Sequence, residues 1–299
     1  MVKVSVVVPI YNAELYLSKC LDSVLEQTLK EIEVIMVDDA SIDNSIEIAK
    51  AYAQKDNRVR VLHNSKNLGP MIAREKGYLE ATGKYVFFCD NDDTLPIDAL
   101  QILYNEAERK KADIVMGETV TLVQNQEIAC SCNHIKREKA YIDSILDNDL
   151  PNRMWGKLYL TELLLRAEIP AIPHFTLGDD WFFNLMIAKH VKQWHRIKNI
   201  VYNYNLRKNS ITRTPLTTDY AELYFQVAQH IWNRYKQNPH IKDRIEKELA
   251  LGCTELLLRG FSLTTIDITA NKYNLQWLLK TIKENIFIRE SNTGFDKKD

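Results

Sequence analysis

The chain has 299 residues, 45% hydrophobic and 26% charged, a composition ordinary for a globular protein of one large domain or one domain with an appendage. A formal net charge of −1 gives no electrostatic case for nucleic acid, although the last third carries a small surplus of Lys and Arg. The odd, scattered set Cys20, Cys89, Cys130, Cys132 and Cys253 argues against a disulfide framework and for a reducing compartment, and the close pair Cys130 and Cys132 lacks the second half of a zinc site.

Val4–Pro9 reads as a strand that begins almost at once, without the pattern of a signal peptide. Glu14–Gln27 follows with Leu17, Cys20, Leu21, Val24 and Leu25 at helical spacing. Ile32–Val37 is the second strand and Ser45–Gln54 the second helix. Val59–His63 is a short third strand, and Pro70–Glu80 a helix opened by proline. Tyr85–Cys89 is a fourth, apolar strand, Ile97–Lys110 a helix and Asp113–Gly117 a strand. Strands alternating with helices predict an α/β fold with a mostly parallel sheet flanked by helices. In such sheets ligands sit beyond the carboxyl ends of the strands. From Thr217 onward the pattern is helical, roughly Thr218–Lys236, Ile241–Gly260 and Tyr273–Asn285. No apolar run is long enough to span a bilayer.

The polar motifs fall at those carboxyl ends. The strands end in Pro9-Ile10-Tyr11-Asn12, in Asp38-Asp39-Ala40-Ser41, in Asn64 followed by Asn67-Leu68-Gly69, and in Asp90-Asn91-Asp92-Asp93. Asp90 and Asp92 are two apart, so an extended backbone projects both to one side. Clustered carboxylates repel unless something neutralises them. Hard oxygen donors in this arrangement suit Mn²⁺ or Mg²⁺. The same run also fits an Asp-rich turn that caps the following helix. No Gly-x-Gly-x-x-Gly follows the first strand and no phosphate loop is present, so a common dinucleotide fold and a P-loop ATPase are not supported.

Taken together, Val6–Asn12, Gln27-Thr28, Val37–Ser45, Asn67-Leu68-Gly69 with Ala73-Arg74, and Asp90–Asp93 resemble the family 2 glycosyltransferases, inverting enzymes of the GT-A fold that use nucleotide sugars. The likeness runs through about the first 120 residues and resumes near Trp155 and Gly178. It implies a Rossmann-like GT-A domain over residues 1–215, divided into a nucleotide-sugar half (1–118) and an acceptor half (119–215), with a helical extension over 216–299. Its activity would be transfer of a hexose or N-acetylhexosamine from a UDP-sugar to a hydroxyl of a saccharide or lipid-linked acceptor. The setting implied is synthesis of a bacterial surface polysaccharide or lipooligosaccharide at the cytoplasmic side.

The resemblance also assigns roles. Asp39 would accept a hydrogen bond from uracil, with Pro9 and Tyr11 walling the base and ribose; its plainer reading is a turn carboxylate. Asn67, Gly69, Arg74 and Asn91 join the nucleotide-sugar set, Arg74 being otherwise a solvated helix charge. Asp90 and Asp92 would meet ribose and the metal-bound diphosphate, both as metal ligands, and Asp93 is within reach of the metal. Leu177-Gly178-Asp179-Asp180-Trp181 opens an apolar helix, Trp181–Ala188, and the pair could simply cap it. The family usually has Glu-Asp there, with the second acid as general base, so Asp180 is the expected catalytic residue and Asp179, shorter by one methylene, supports it. Met154-Trp155-Gly156-Lys157-Leu158-Tyr159 resembles the acceptor-side segment, where Trp155 and Lys157 are expected; Trp155 equally suits a core aromatic. Tyr202–Ser210 resembles a closing segment over the diphosphate, with Arg207 where several relatives carry a metal-ligating His. A charged Arg cannot ligate, so Arg207 reads as a phosphate clamp.

Near the end, Tyr273, Trp277, Leu278, Ile282, Ile286 and Phe287 form an apolar stripe. A helix packed on the rest of the protein is the favoured reading, and a peripheral membrane contact near a lipid-linked acceptor the sharper one. Two other functions fit parts of the pattern. A nucleotidyltransferase needs a basic phosphate-gripping loop after the first strand, which is absent. A nucleotide-sugar-binding scaffold without catalysis predicts a damaged acid set, whereas Asp39, Asp90, Asp92 and Asp180 are all present.

Overall fold

A computed structural model describes residues 1–123, 126–130, 139–207 and 219–280. The chain divides into two compact units, Met1–Arg213 and Thr214–Asp299.

The first unit is built on β1 (Val4–Ile10), β2 (Ile32–Asp38), β3 (Val59–His63), β4 (Tyr85–Phe88), β5 (Ile114–Val123), β6 (Gln126–Cys130), β7 (Lys157–Leu160) and β8 (Trp194–Asn205). Its helices are α1 (Leu17–Leu25), α2 (Ser45–Lys55), α3 (Pro70–Leu79), α4 (Ala99–Lys110), α5 (Tyr141–Leu146), α6 (Thr161–Ala167) and α7 (Asp179–Ala188). The sheet order is β3-β2-β1-β4-β7-β5-β6, with β8 paired to β5. Strands β3, β2, β1 and β4 run parallel. Every residue of β1 and β2 is buried, as expected of parallel strands covered on both faces.

Register carries the polar motifs to one edge. Ile10 pairs with Asp38 and Asp38 with His63, so β1, β2 and β3 end together. Val7 pairs with Phe88, which brings the turn after β4 to the same edge. Strand β7 runs antiparallel to β4, with Phe87 opposite Leu158. The segment that precedes β7 therefore arrives where the turn after β4 departs.

The helices form where apolar spacing allows. In α1 the buried face is Leu17, Cys20, Leu21 and Val24. Just beyond it the buried Gln27 donates to Ser23 O and Pro96 O and accepts from Leu100 N, tying α1 to the start of α4. Helix α3 starts with Pro70 after Gly69, whose φ is +92°; a Cβ at Gly69 would also press on His174 N at 3.1 Å. Gly178, φ +93°, plays the matching part before α7.

The expected strand Asp113–Gly117 is too short. It continues to Val123 because β8 pairs along it in parallel as far as Asn205, a partnership no local pattern encodes. The expected helices at Glu14–Gln27 and Ile97–Lys110 begin later, at Leu17 and Ala99, since residues 11–16 and 90–98 are occupied by loops at the sheet edge.

The second unit holds α8 (Tyr220–Tyr235), α9 (Lys242–Leu258) and α10 (Leu263–Lys272). Gly252 lets α9 pass against Tyr224, where a Cβ would lie 2.2 Å from the ring hydroxyl. Helix α10 is not among the elements expected from the sequence; the third helix expected there, Tyr273–Asn285, starts later, its residues 276–280 being helical and those from 281 on lying outside the described residues. Ser262 caps α10 by accepting from Thr265 N at 3.0 Å, and Tyr273 falls in the turn after it. Of the apolar stripe, Leu278 is buried and Trp277 packs on Trp232 with ring centroids 4.4 Å apart; Ile282, Ile286 and Phe287 lie outside the described residues. Among the described residues no helix is long and apolar enough to cross a membrane.

Candidate active site

The loops after β1 and β2 are fastened to each other. Asn12 N donates to Ser41 Oγ at 3.1 Å, and Ile42 N returns a bond to Asn12 Oδ1 at 3.0 Å. Ala13 N donates to Ser45 Oγ, and Glu14 N to Asp43 Oδ2. Tyr11 stands exposed at the rim of this pair of loops.

Asp39 is buried directly behind it. Its Oδ1 accepts from Asn64 Nδ2 at 2.9 Å and Leu68 N at 3.0 Å, and its Oδ2 from Leu68 N and from Gly69 N at 2.7 Å. Asp39 thus fixes the 64–69 loop on the end of β2, and Gly69 is there to bring its N–H to that carboxylate. Asn67 lies on the same loop, half-buried. A carboxylate has about four acceptor positions, so a further donor can still be received at an edge.

The acidic turn is clamped from two sides. Asn91 Nδ2 donates to Pro9 O at 2.8 Å. From β8, Tyr202 Oη accepts from Asp90 N and donates to Asp93 Oδ2 at 2.8 Å, while Asn205 N donates to Asp93 Oδ1 at 2.7 Å and Asn205 Nδ2 to Asp92 O. Asp93 is therefore buried with both oxygens engaged, and burial, then the charge of Asp90, push its pKa well up. It anchors the turn and does not reach outward to a metal, contrary to the expectation from its position in the run. Tyr202 and Asn205 are the residues whose part in this the sequence did not reveal.

Arg74 is not a solvated charge. Only 9% of its side chain is exposed, and it bridges two acidic motifs: Nη2 donates to Asp90 Oδ1 at 2.7 Å and Nη1 to Asp179 Oδ2 at 3.1 Å. Its Nε has no partner among the described residues. Arg207 pairs with Asp92, and its guanidinium lies 4.2 Å from the centre of the Tyr16 ring. Each carboxylate of the Asp-x-Asp pair thus faces a guanidinium.

Asp179 and Asp180 open α7. Burial raises the pKa of Asp179, against the pull of Arg74. Asp180 is pushed up to about 7, by burial and then by the charge of Asp179, with Arg74 opposing. Its Oδ1 accepts Met154 N at 3.0 Å. A carboxyl group that titrates near neutrality can hold and release a proton under working conditions.

On the far side of the acidic turn, Trp155 is half-exposed. It stacks with Tyr202 (centroids 4.6 Å, planes 19° apart) and Tyr204 (5.2 Å, 4°), and Arg153 sits 4.5 Å from its ring centre. Lys157 departs from expectation. It has no exposed surface; its Nζ is bonded to Pro151 O, Asn184 Oδ1 and Tyr141 Oη, so it cannot touch an acceptor. The alternation of β7 turns Lys157 and Tyr159 to the same buried face.

The fit of a divalent cation can be judged from the donors. Asp90 and Asp92 side chains are 25% and 17% exposed, at the mouth of the site, and Arg74 takes only Oδ1 of Asp90. Among the described residues no group of three or more His, Cys, Asp and Glu side chains is gathered as for a metal. Two carboxylates suit Mn²⁺ or Mg²⁺ when diphosphate and water supply the other oxygens. In donor type the residues present fit such an ion, with Asp92 also paired to Arg207.

Comparison with known proteins accords with this geometry. The family model described as glycosyl transferase family 2 matches residues 5–127. The chain is 32% identical over 233 residues to the glycosyltransferase GlyG of Streptococcus pneumoniae serotype 4, covering 73% of this chain and 75% of that protein. It is 34% identical over 227 residues to the glycosyltransferase GlyA of the same organism, covering 71% of this chain and 32% of the relative, so it spans about a third of that relative's length. In fold it is similar to a fragment of S. aureus TarS in complex with UDP-GlcNAc, with a TM-score of 0.72 at 21% identity over 91% of this chain and 80% of that one. The sheet with its flanking helices is the GT-A fold.

Proposed function

The chain belongs to glycosyl transferase family 2, and from that membership we propose that it is an inverting glycosyltransferase that moves a hexose or N-acetylhexosamine from a UDP-sugar to a hydroxyl of a saccharide or lipid-linked acceptor. The observation that carries this reading is the bridge made by Arg74. One buried guanidinium joins Asp90, in the turn suited to a diphosphate, to Asp179, beside a carboxyl group that titrates near 7.

In this mechanism the uracil and ribose lie against Pro9 and Tyr11, with Asp39 and the 64–69 loop at the base edge. The fastened loops present that wall already formed. Asp90 and Asp92 would hold Mn²⁺ or Mg²⁺, which when bound offsets charge on the diphosphate leaving group. Arg207 has one face on Tyr16 and its charge at Asp92, a placement from which it can clamp phosphate oxygens.

Asp180 removes the proton from the acceptor hydroxyl as that oxygen attacks the anomeric carbon. The bond from that carbon to the phosphate oxygen breaks, and its electron pair leaves with UDP. A single displacement of this kind inverts the anomeric configuration. Asp179 stays paired with Arg74, so the proton goes to Asp180 and the donor acids remain oriented. Trp155 borders the acceptor side with its ring supported by Tyr202 and Tyr204.

A screen of UDP-sugars with Mn²⁺, read as UDP release in the presence of saccharide and glycolipid acceptors, tests the proposal. Release from at least one UDP-sugar, lost in Asp180→Asn, is the expected outcome. Turnover of GDP-sugars alone would overturn the assignment of the base.

A further inference from the structure

Lys157 is a buried ammonium that the reaction does not use. Lysine is almost never fully buried without a charged partner. Here the three acceptors are neutral: Pro151 O at 3.0 Å, Asn184 Oδ1 at 3.1 Å and Tyr141 Oη at 3.3 Å. Burial, followed by the nearby charge of Arg153, pulls its pKa down to about 7, with Asp180 acting in the opposite direction. An apolar side chain of similar size would fill the space without desolvating a charge. Packing alone does not account for a lysine at this place.

Its bonds explain it better. Pro151 O belongs to the segment that leads into β7, and Asn184 lies one turn into α7. Asn184 Nδ2 donates to Asp180 O at 2.7 Å and Asn152 O at 3.4 Å. Tyr159 Oη donates to Met154 O at 3.0 Å. The carbonyls of Pro151, Asn152 and Met154 are thus all taken from the core side. The N–H of Met154 is left to meet Asp180 Oδ1 at 3.0 Å.

We propose that Lys157 is a positioning residue for Asp180: through Pro151 and Asn184 it holds the 151–154 segment on the first turn of α7 and so keeps the Met154 N–H on the carboxylate. The proposal rests on Asp180 being the general base. The charged groups that face Asp180 are Asp179 on its own helix, Arg74 from α3, Asp90 from the turn after β4, and Arg153 and Lys157 from the segment and strand that include β7, with the Tyr159 hydroxyl beside them. Asp179 and Asp90 oppose ionisation of Asp180. The ammonium of Lys157 favours it, and so does the N–H it keeps in place.

The test is Lys157→Met, assayed as kcat and kcat/KM against pH with the donor found in the screen above. Loss of the N–H donor, together with a lysine charge that is itself only about half present at pH 7, is expected to raise the acidic limb by about one pH unit. With Asp180 starting near 7, its ionised fraction at pH 7 falls from about a half to about a tenth, so turnover falls about fivefold. Turnover recovers by pH 9, and the donor KM is unchanged. A folded Lys157→Met whose limb does not move overturns the proposal, even if its stability falls, because a purely structural lysine would behave that way. Should Lys157→Met not fold, Asn184→Leu removes both the acceptor for Lys157 and the donor to Asp180 O without adding a charge. The limb must again rise, and an unmoved limb overturns the proposal. Asp180→Asn is measured alongside. If it keeps near-normal turnover, the base assignment itself fails. If it is inactive and the Lys157→Met limb stays in place, only the positioning role fails.

Discussion

Arg74→Met removes the one group that joins the two acidic motifs. The guanidinium is 9% exposed and its partners Asp90 and Asp179 are 25% and 11% exposed, so the substitution leaves two carboxylates in a site from which water is largely excluded. Removing one partner of a buried ion pair costs about 3–5 kcal/mol. With a urea dependence of about 3 kcal/mol per molar, the unfolding midpoint moves down by about 1–1.7 M. The effect depends on pH with a definite sign. The pKa values of Asp179 and Asp180 are raised in the folded protein, so the native state binds more protons than the unfolded chain there. Stability from these groups is present below the unfolded carboxylate pKa, about 4, and is lost as pH rises through the folded values. Without Arg74 those values rise further, so the deficit is small at pH 5 and full at pH 8. Urea unfolding of both proteins at the two pH values, followed by tryptophan fluorescence, measures it. Equal midpoints at pH 8, or a deficit larger at pH 5, would refute the reasoning.

Turnover should fall along an acidic limb near pH 7, where Asp180 becomes protonated, and Asp180→Asn should lower turnover by about 10²–10⁴-fold with UDP affinity little changed; loss of UDP binding would instead place Asp180 among the donor ligands. Asp39→Ala leaves Leu68 N and Gly69 N without their acceptor, so UDP affinity should fall by the equivalent of about 1.5–3 kcal/mol and the 64–69 loop should gain protease sensitivity; wild-type UDP binding by calorimetry would remove Asp39 from the site. UDP binding should need Mn²⁺ or Mg²⁺ and should weaken alike with chelator or Asp92→Asn, and undiminished binding in chelator would exclude the ion.

Much of the donor half was legible because its information is local. A buried parallel strand advertises itself by a run such as Val6-Val7-Val8, and its polar ending marks the sheet edge where ligands gather. The acceptor half was less so. Lys157 stands two residues from an apolar Tyr159, and alternation alone hints that both face inward. What makes the burial tolerable are Tyr141 and Asn184, 16 and 27 residues away, and no periodicity connects them. Asp93 misled for the same reason: its neighbours resemble metal ligands, but Tyr202 and Asn205, over a hundred residues on, claim both its oxygens. Strand β5 outran its apparent end because β8 lends it a partner.

The reversal of β7 has an implication for how such sites diversify. Asp39, Asp90 and Asp92 follow the ends of parallel strands at the sheet edge, whereas the 151–156 segment enters the same edge just ahead of an antiparallel strand. The ladder between Tyr85–Phe87 and Leu158–Leu160 stands between them as a fixed seam. Changes of length or sequence upstream of that seam alter what meets Asp180 from the acceptor side, while the backbone that carries Asp90 and Asp92 keeps its register. On the proposed mechanism, acceptor choice can therefore drift in one stretch of chain without dismantling the half of the sheet proposed to hold the nucleotide.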